Sequence, residues 1–471
     1  MKIHCENDLA YELSDYFTFN VPGARFSPAF RNRVWDGKIR LFSKATHYLY
    51  LGLLPYVQRF AKERGYKLTL DLSEFSDINF NLKEAEEFIS SLNLTLKPRD
   101  YQLDAFVHAI KKKRALLLSP TASGKSLIIY LVSKYYESDP EKVLIIVPTT
   151  SLVHQMSSDF VSYGCNENQI HKIFSGQDKV TDCNYVITTW QSIYKMPKPW
   201  FTQFHCVIGD EAHLFKAKSL TSIMTKLIEC PYKYGFTGTL DGTQTHKLVL
   251  EGLFGKVEKI TTTAELIEQK HLSNFRIKAI ALNYNDEIKK QLKGIDYQSE
   301  VDYINSYEPR NKFISNLIST LEGNTLLLFK IIDHGKKLFD LIKKTIDNRK
   351  VYYVDGSVDG MLREDIREDI EKQKDGIIVA SLGTFSTGVN IRNLHNIVFA
   401  SPSKSRIKTL QSIGRGLRLG KNKTVATLYD LVDDISWKSK KNYTLLHFIE
   451  RVKMYDDEKF DYKIYNVNLG N

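Results

Sequence analysis

The 471-residue chain reads as an α/β protein with two tandem parallel-sheet domains, a small α+β domain before them and a short helical piece after them. Three observations predict this. From about residue 114 onward, short apolar, β-branched runs alternate with helix-like segments, as strands buried on both faces and joined by helical crossovers do. The runs fall into two successive sets, hence two domains. The first 90 or so residues lack the pattern and are rich in cations and aromatics.

In order along the chain, RVWDGKIRLF (33–42) is two alternating runs about Asp36-Gly37, which predicts a type I′ hairpin. Arg25, Arg31, Arg33, Lys38, Arg40 and Lys44 face a single acid, Asp36, with Trp35, Tyr48 and Tyr50 interleaved. Segments 53–66 and 81–92 have helical spacing, and 94–99 joins this domain to the next. The first strand set is ALLL (115–118), VLIIVP (143–148), YVITT (185–189), CVIGDE (206–211) and YGFTGT (234–239). The second is TLLLF (325–329), VYYVDG (351–356), GIIVAS (376–381), NIVFAS (396–401) and TVATLYDLV (424–432). Residues 437–455 read as a terminal helix. The predicted domains are 1–93, 94–262, 263–435 and 436–471.

Composition narrows the classes. With 42% hydrophobic and 26% charged residues the chain is globular, not collagen-like or largely disordered. A formal charge of +11 favours a polyanion partner. No run of eighteen apolar residues spans a membrane, and MKIHCENDLAYEL has no secretory h-region. Five cysteines without a CxxC pair argue against a disulfide framework or zinc site and fit a reducing cytosol. No HExxH or tight histidine cluster exists. Asp36-Gly37-Lys38 lacks the acid partners of a nuclease site and reads as a turn; Lys111–Arg114 reads as a solvated edge.

SPTASGKS (119–126) sits between an apolar strand and a helix-like segment, the context of a Walker A loop. Backbone N–H groups of Thr121, Ala122, Ser123 and Gly124 would cradle phosphates, Lys125 would reach the β/γ-phosphates, and Ser126 would bind Mg²⁺. Ser119 stands where the common pattern has glycine. About 85 residues on, VIGDEAH ends a buried strand in two carboxylates. Asp210 suits Mg²⁺, and Glu211 suits an attacking water. Together they predict an NTPase.

From about residue 97 to 434 the sequence resembles the superfamily 2 helicases and translocases, whose fold is two tandem RecA-like domains closing on ATP·Mg²⁺. KPRDYQLDAF (97–106) resembles the adenine-reading motif, which implies Gln102 at the base and Tyr101 or Arg99 stacking nearby. VPTTSLVHQ (147–155) resembles motif Ia and TTWQSI (188–193) motif Ib/Ic, implying nucleic-acid contacts at Thr149, Thr150, Thr189 and Gln191. DEAH (210–213), TGT (237–239), LLLFKIIDHGKKL (326–338), SLGTFSTGVNI (381–391) and QSIGRGLR (411–418) follow in family order. By this resemblance His213 and Gln411 couple nucleotide state to closure. Thr384, Gly388 and Asn390 line the track or cleft. Arg415 and Arg418, three apart and so on one face if helical, would act as arginine fingers, worth roughly 10³–10⁵ in rate. DEAH with TGT, in place of DEAD with SAT, is similar to processive translocases and unlike the RNA-duplex-melting branch.

The basic N-terminal domain directly before this core resembles the UvsW-type helicases of T-even bacteriophages. The resemblance implies an ATP-dependent helicase for branched DNA and RNA–DNA hybrids in recombination, replication and repair. Its tasks would be R-loop unwinding, Holliday junction branch migration and fork regression. It further implies single-stranded and duplex DNA contacts, a monomeric or weakly associating chain, replication and recombination protein partners, and the cytoplasm of an infected bacterium. Arg31, Arg33, Trp35, Lys38 and Arg40 are the candidate DNA contacts, Trp35 being either a stacking wedge or core. A duplex translocase that never separates strands and an RNA helicase remain open.

Overall fold

A computed structural model of the chain describes residues 1–71, 77–137, 140–386, 391, 393–401, 405–417 and 425–469, apart from the side chains at 216, 385, 386, 406–408 and 415. The chain divides into two compact units, Met1–Ser119 with Gly124–Ile260, and Thr261–Asn471 with Pro120–Ser123. No helix among the described residues is long and apolar enough to cross a membrane.

The first unit opens with helix Asn7–Tyr16 and two short strands, β1 (Thr18–Asn20) and β2 (Lys38–Arg40), which pair antiparallel with Phe19 opposite Ile39. The hairpin expected about Asp36-Gly37 is not there. The residues expected as its first strand, 33–35, instead fold back on the short helix Pro28–Arg31: Arg33 is left-handed (φ +57°), and the Val34 and Trp35 N–H groups donate to Ala29 O (2.9 and 3.2 Å). The Asp36 carboxylate then accepts from the Lys38 N–H (3.1 Å), and Gly37 takes φ +77°, which turns the chain toward β1.

The main sheet of this unit contains β3 (Arg114–Leu118), β4 (Lys142–Val147), β5 (Ile170–Ile173), β6 (Tyr185–Thr189), β7 (Phe204–Asp210), β8 (Tyr232–Thr237) and β9 (Val257–Lys259). Its order is β5-β6-β4-β7-β8-β3-β9, and every pairing is parallel. The five runs read from the sequence form its central strands, buried because helices cover both faces. Helix Gln244–Phe254 presses into the sheet where Gly209 and Gly235 pair across β7 and β8. A Cβ at either glycine would lie under 3.0 Å from the ring of Phe215 or Phe254.

That helix also carries the N-terminal domain. Its Glu251, 1% exposed, accepts from Tyr56 OH (2.5 Å), and Gly252 lies against the ring of Tyr50. The apolar residues Leu13, Phe17, Leu53, Val57 and Phe60 belong to one continuous core with Leu250 and Phe254. Helix Leu82–Ser91, closed by an Asn81–Glu84 capping box, puts Phe88 on Phe106 at a centroid distance of 5.7 Å.

The second unit's sheet contains β10 (Asn274–Asn283), β11 (Thr325–Phe329), β12 (Val351–Val354), β13 (Ile377–Ser381), β14 (Asn396–Phe399), β15 (Val425–Asp434) and β16 (Asp461–Asn468). The order is β12-β13-β11-β14-β15-β10-β16, again parallel throughout. The two parallel sheets are RecA-like. The terminal helix is Tyr443–Asp457, and after it the chain adds β16 to the sheet edge, a strand that the residue pattern does not predict. Buried Glu300 accepts from the N–H groups of Tyr443 (2.9 Å) and Thr444 (2.7 Å), capping this helix onto the unit.

Candidate nucleotide and nucleic-acid site

Because all strands of the first sheet are parallel, their C-terminal ends share one edge, where α/β folds bind ligands. The candidate residues of the first unit emerge there, after β3, β4, β6, β7 and β8. Helix Lys125–Tyr135 follows β3 and has its N-terminus at that edge, where the first-turn N–H groups of a helix suit an anion. Gly124 (φ +78°) and Ala122 (φ +67°) are left-handed. For alanine this is strained and places the curvature at the loop. Lys125 Nζ donates to Ser119 O (3.4 Å), and the Ser119 N–H donates to Thr237 O (2.9 Å), tying the loop to the end of β8.

Buried Gln102 touches the same loop. Its Nε2 donates to Gly124 O (3.3 Å) while its Oε1 accepts from the Arg99 N–H (2.9 Å). Arg99 Nη1 donates to Tyr101 OH (2.8 Å), so all three residues of the expected base-reading group are together.

Asp210 ends β7 in a buried position. Burial, then the adjacent Glu211 carboxylate, push its carboxyl up to about 6, and the charge of Lys125 pulls the other way. Two acids side by side under burial are unfavourable alone and suited to a divalent cation. Glu211 is left-handed (φ +49°), and its N–H donates to Asp210 Oδ1 (2.9 Å). Buried His213 lies with Nδ1 3.2 Å from Glu211 Oε2 and 3.0 Å from Thr237 Oγ1. Thr237 spends its own proton on Thr239 O (3.0 Å), so the network assigns a hydrogen to His213 Nδ1. His246 Nε2 in turn donates to His213 O (2.9 Å). The DEAH and TGT segments are thus directly bonded.

At the ends of β4 and β6 stand Thr149 and Thr189, both preceding helices. Thr149 caps the helix Thr150–Ser162 through Leu152 N–H (3.4 Å), and Thr150 and Gln191 are exposed. Thr189 is buried and paired with Ser192 Oγ (2.9 Å), which leaves its hydroxyl less available than its neighbours. In the second unit Thr384 is buried and accepts from Ser381 Oγ (2.7 Å), and half-buried Gln411 lies on helix Arg406–Gly416. Gly388, Asn390 and Arg418 lie outside the described residues, as does the side chain of Arg415.

The N-terminal cations are exposed but unequal. Arg40 is held by Asp36 (Nη2 to Oδ2 2.5 Å) and Arg31 Nη2 donates to Phe26 O (2.8 Å). Trp35 is half-buried, donates its indole N–H to Lys38 O (2.8 Å) and is not core. Arg31, Arg33, Trp35, Asp36 and Arg40 line an open concavity of about 880 Å³ with Arg25, Phe30 and Val34. Sequence reasoning missed two exposed apolar groups here: Val34, in the lining and 81% exposed, and Phe26, next to Arg25 in the chain and 66% exposed. Their signal was their place between arginines.

A phosphate loop beside paired carboxylates at one parallel-sheet edge, with a second parallel sheet following in the chain, defines an ATPase of helicase superfamily 2. Family models match by description: "DNA helicase UvsW, N-terminal" over residues 1–71, "Type III restriction enzyme, res subunit" over 95–242 and "Helicase conserved C-terminal domain" over 310–420. The chain is 40% identical to the ATP-dependent DNA helicase uvsW of Enterobacteria phage T4, across 100% of this chain and 98% of that protein. The crystal structure of T4 UvsW matches at TM-score 0.52, with 39% identity, covering 100% of this chain and 97% of that one. A fragment of a type I restriction enzyme HsdR subunit from Vibrio vulnificus, 16% identical, matches at TM-score 0.60 over 92% of this chain and 76% of that one, which speaks for the fold alone. The chain belongs to the UvsW family of helicases, and is an ATP-using enzyme.

Proposed function

We propose that this helicase acts on branched DNA and RNA–DNA hybrids, unwinding R-loops, migrating Holliday junctions and regressing forks, in the cytoplasm of an infected bacterium. The observation that carries the reading is the concave arginine-and-aromatic surface of the N-terminal domain, which is bonded through Tyr56 to Glu251 on the helix Gln244–Phe254. Cations there suit phosphates, and the exposed Phe26 ring suits an unstacked base, as sites for single-stranded nucleic acid combine a basic groove with aromatic platforms. Exchange of one duplex for another of similar stability needs only a small bias per step, whereas open melting costs about 1.4 kcal/mol per base-pair step.

At the first sheet's edge Lys125 and the loop N–H groups would hold ATP phosphates, with Gln102, Arg99 and Tyr101 at the base. The hard oxygens of Ser126 and Asp210 fit Mg²⁺, which would neutralise phosphate charge there. Glu211 would orient the attacking water, and His213, Gln411, Arg415 and Arg418 would sense or stabilise the γ-phosphate. Thr149, Thr150, Thr189, Gln191 and Thr384 would meet the nucleic-acid backbone. Lys125→Ala and Glu211→Gln should each lower turnover by at least roughly 100-fold while junction binding stays near wild type. Normal hydrolysis in either variant would refute the assignment.

The match to the restriction-enzyme family over 95–242 favours a second reading, a duplex translocase without strand separation. Hydrolysis stimulated by plain duplex with no displacement of any branched substrate would select it.

A further inference from the structure

Tyr163 follows the last turn of helix Thr150–Ser162, with its ring 8% exposed and packed on Tyr130 at a centroid distance of 5.7 Å. Its hydroxyl lies 2.8 Å from Ser126 Oγ. Packing alone does not call for that hydroxyl, since phenylalanine fills the same space, and a buried O–H is unfavourable unless bonded. Ser126 is the second residue of the phosphate-binding helix, and a serine hydroxyl hops among three staggered rotamers unless something holds it. A tyrosine O–H is a hydrogen-bond donor at neutral pH.

We infer that Tyr163 is a positioning residue for the catalytic cation, its O–H donating to Ser126 Oγ and holding that oxygen in one rotamer with a lone pair left for the metal. The hydroxyl oxygen of serine has two lone pairs, so it accepts from Tyr163 and ligates a cation without conflict. If Ser126 turned away, the buried Tyr163 hydroxyl would lose this partner, so the bond favours the Ser126 rotamer seen here. The inference rests on the assignment of Ser126 to Mg²⁺ made above.

The test measures binding of a fluorescent ADP to the full chain with EDTA and with saturating Mg²⁺. Wild type gains affinity from Mg²⁺. Tyr163→Phe should match wild type in EDTA and lose about fivefold of the Mg²⁺ gain, the effect of one hydrogen bond. In hydrolysis the half-saturating Mg²⁺ concentration should rise with kcat little changed. A full Mg²⁺ gain in Tyr163→Phe overturns the inference, and so does an equal loss with and without Mg²⁺, which would mean packing only. Ser126→Ala separates the two claims. If it keeps the whole gain, the Ser126 assignment falls and the inference with it; if it loses the gain while Tyr163→Phe keeps it, only the role of Tyr163 falls.

Discussion

Asp210 shows how a single carboxylate trades stability for function. Its pKa is raised from 3.8 to about 6 by burial and by Glu211. A group raised in the folded state contributes stability that is fully present below the unfolded value and lost as pH rises through the folded one. At pH 8 the ionised Asp210 therefore opposes folding, and the opposition fades as pH falls from about 6 toward 4. Asp210→Asn should stabilise the nucleotide-free protein at pH 8 by on the order of 1–3 kcal/mol while abolishing hydrolysis. Thermal melts at several pH values check this; an unchanged or larger gap at pH 4 would contradict it. Arg40 and Arg31 make the opposite point. Both are exposed, yet Asp36 and Phe26 O already engage them. Arg33 and Lys38 should therefore carry more of the DNA affinity than their neighbours.

Helix Gln244–Phe254 joins three parts of the first unit: the DEAH segment through His246, the sheet through Phe254, and the N-terminal domain through Glu251. A Cβ on Gly52 would lie 1.8 Å from the Glu251 carbonyl oxygen, a backbone atom that cannot give way cheaply. Gly52→Ala should lower stability by roughly 1–3 kcal/mol and loosen the N-terminal domain, seen as a lower Tm and faster proteolysis there. Unchanged melting and cleavage would show that the domain is held elsewhere. The same scale shows what the sequence disclosed. Strands such as YVITT and TLLLF were legible because both faces are buried and the runs are unbroken. IHKI in β5, VEK in β9 and DYKIYNVN in β16 were not, because edge strands keep polar residues and end up mostly short or exposed. The Asp36-Gly37 hairpin failed because Val34 and Trp35 spend their N–H groups on Ala29 O, which leaves Lys38–Arg40 to pair with Thr18–Asn20. Asp210 stood out as a candidate because it ends a buried strand, whereas Tyr163 did not, since its partner is 37 residues away in the chain.

For the whole molecule, net charge of +11 and a basic N-terminal surface imply a strong electrostatic component of DNA binding. Neutralising Arg31, Arg33, Lys38 and Arg40 together should weaken junction binding and flatten the plot of log affinity against log salt, by up to about 0.9 in slope for each phosphate that is no longer neutralised. An unchanged slope would return this surface to a merely solvated face. The central claim, that a UvsW-family ATPase is directed to branched nucleic acid, is tested most directly by ATP-dependent strand displacement. An R-loop, a four-way junction and a plain 3′-tailed duplex are compared, with Lys125→Ala as control. The expected result is displacement of the R-loop and the junction, abolished in the variant. Stimulated hydrolysis with no displacement on any of the three would contradict that claim and leave a translocase.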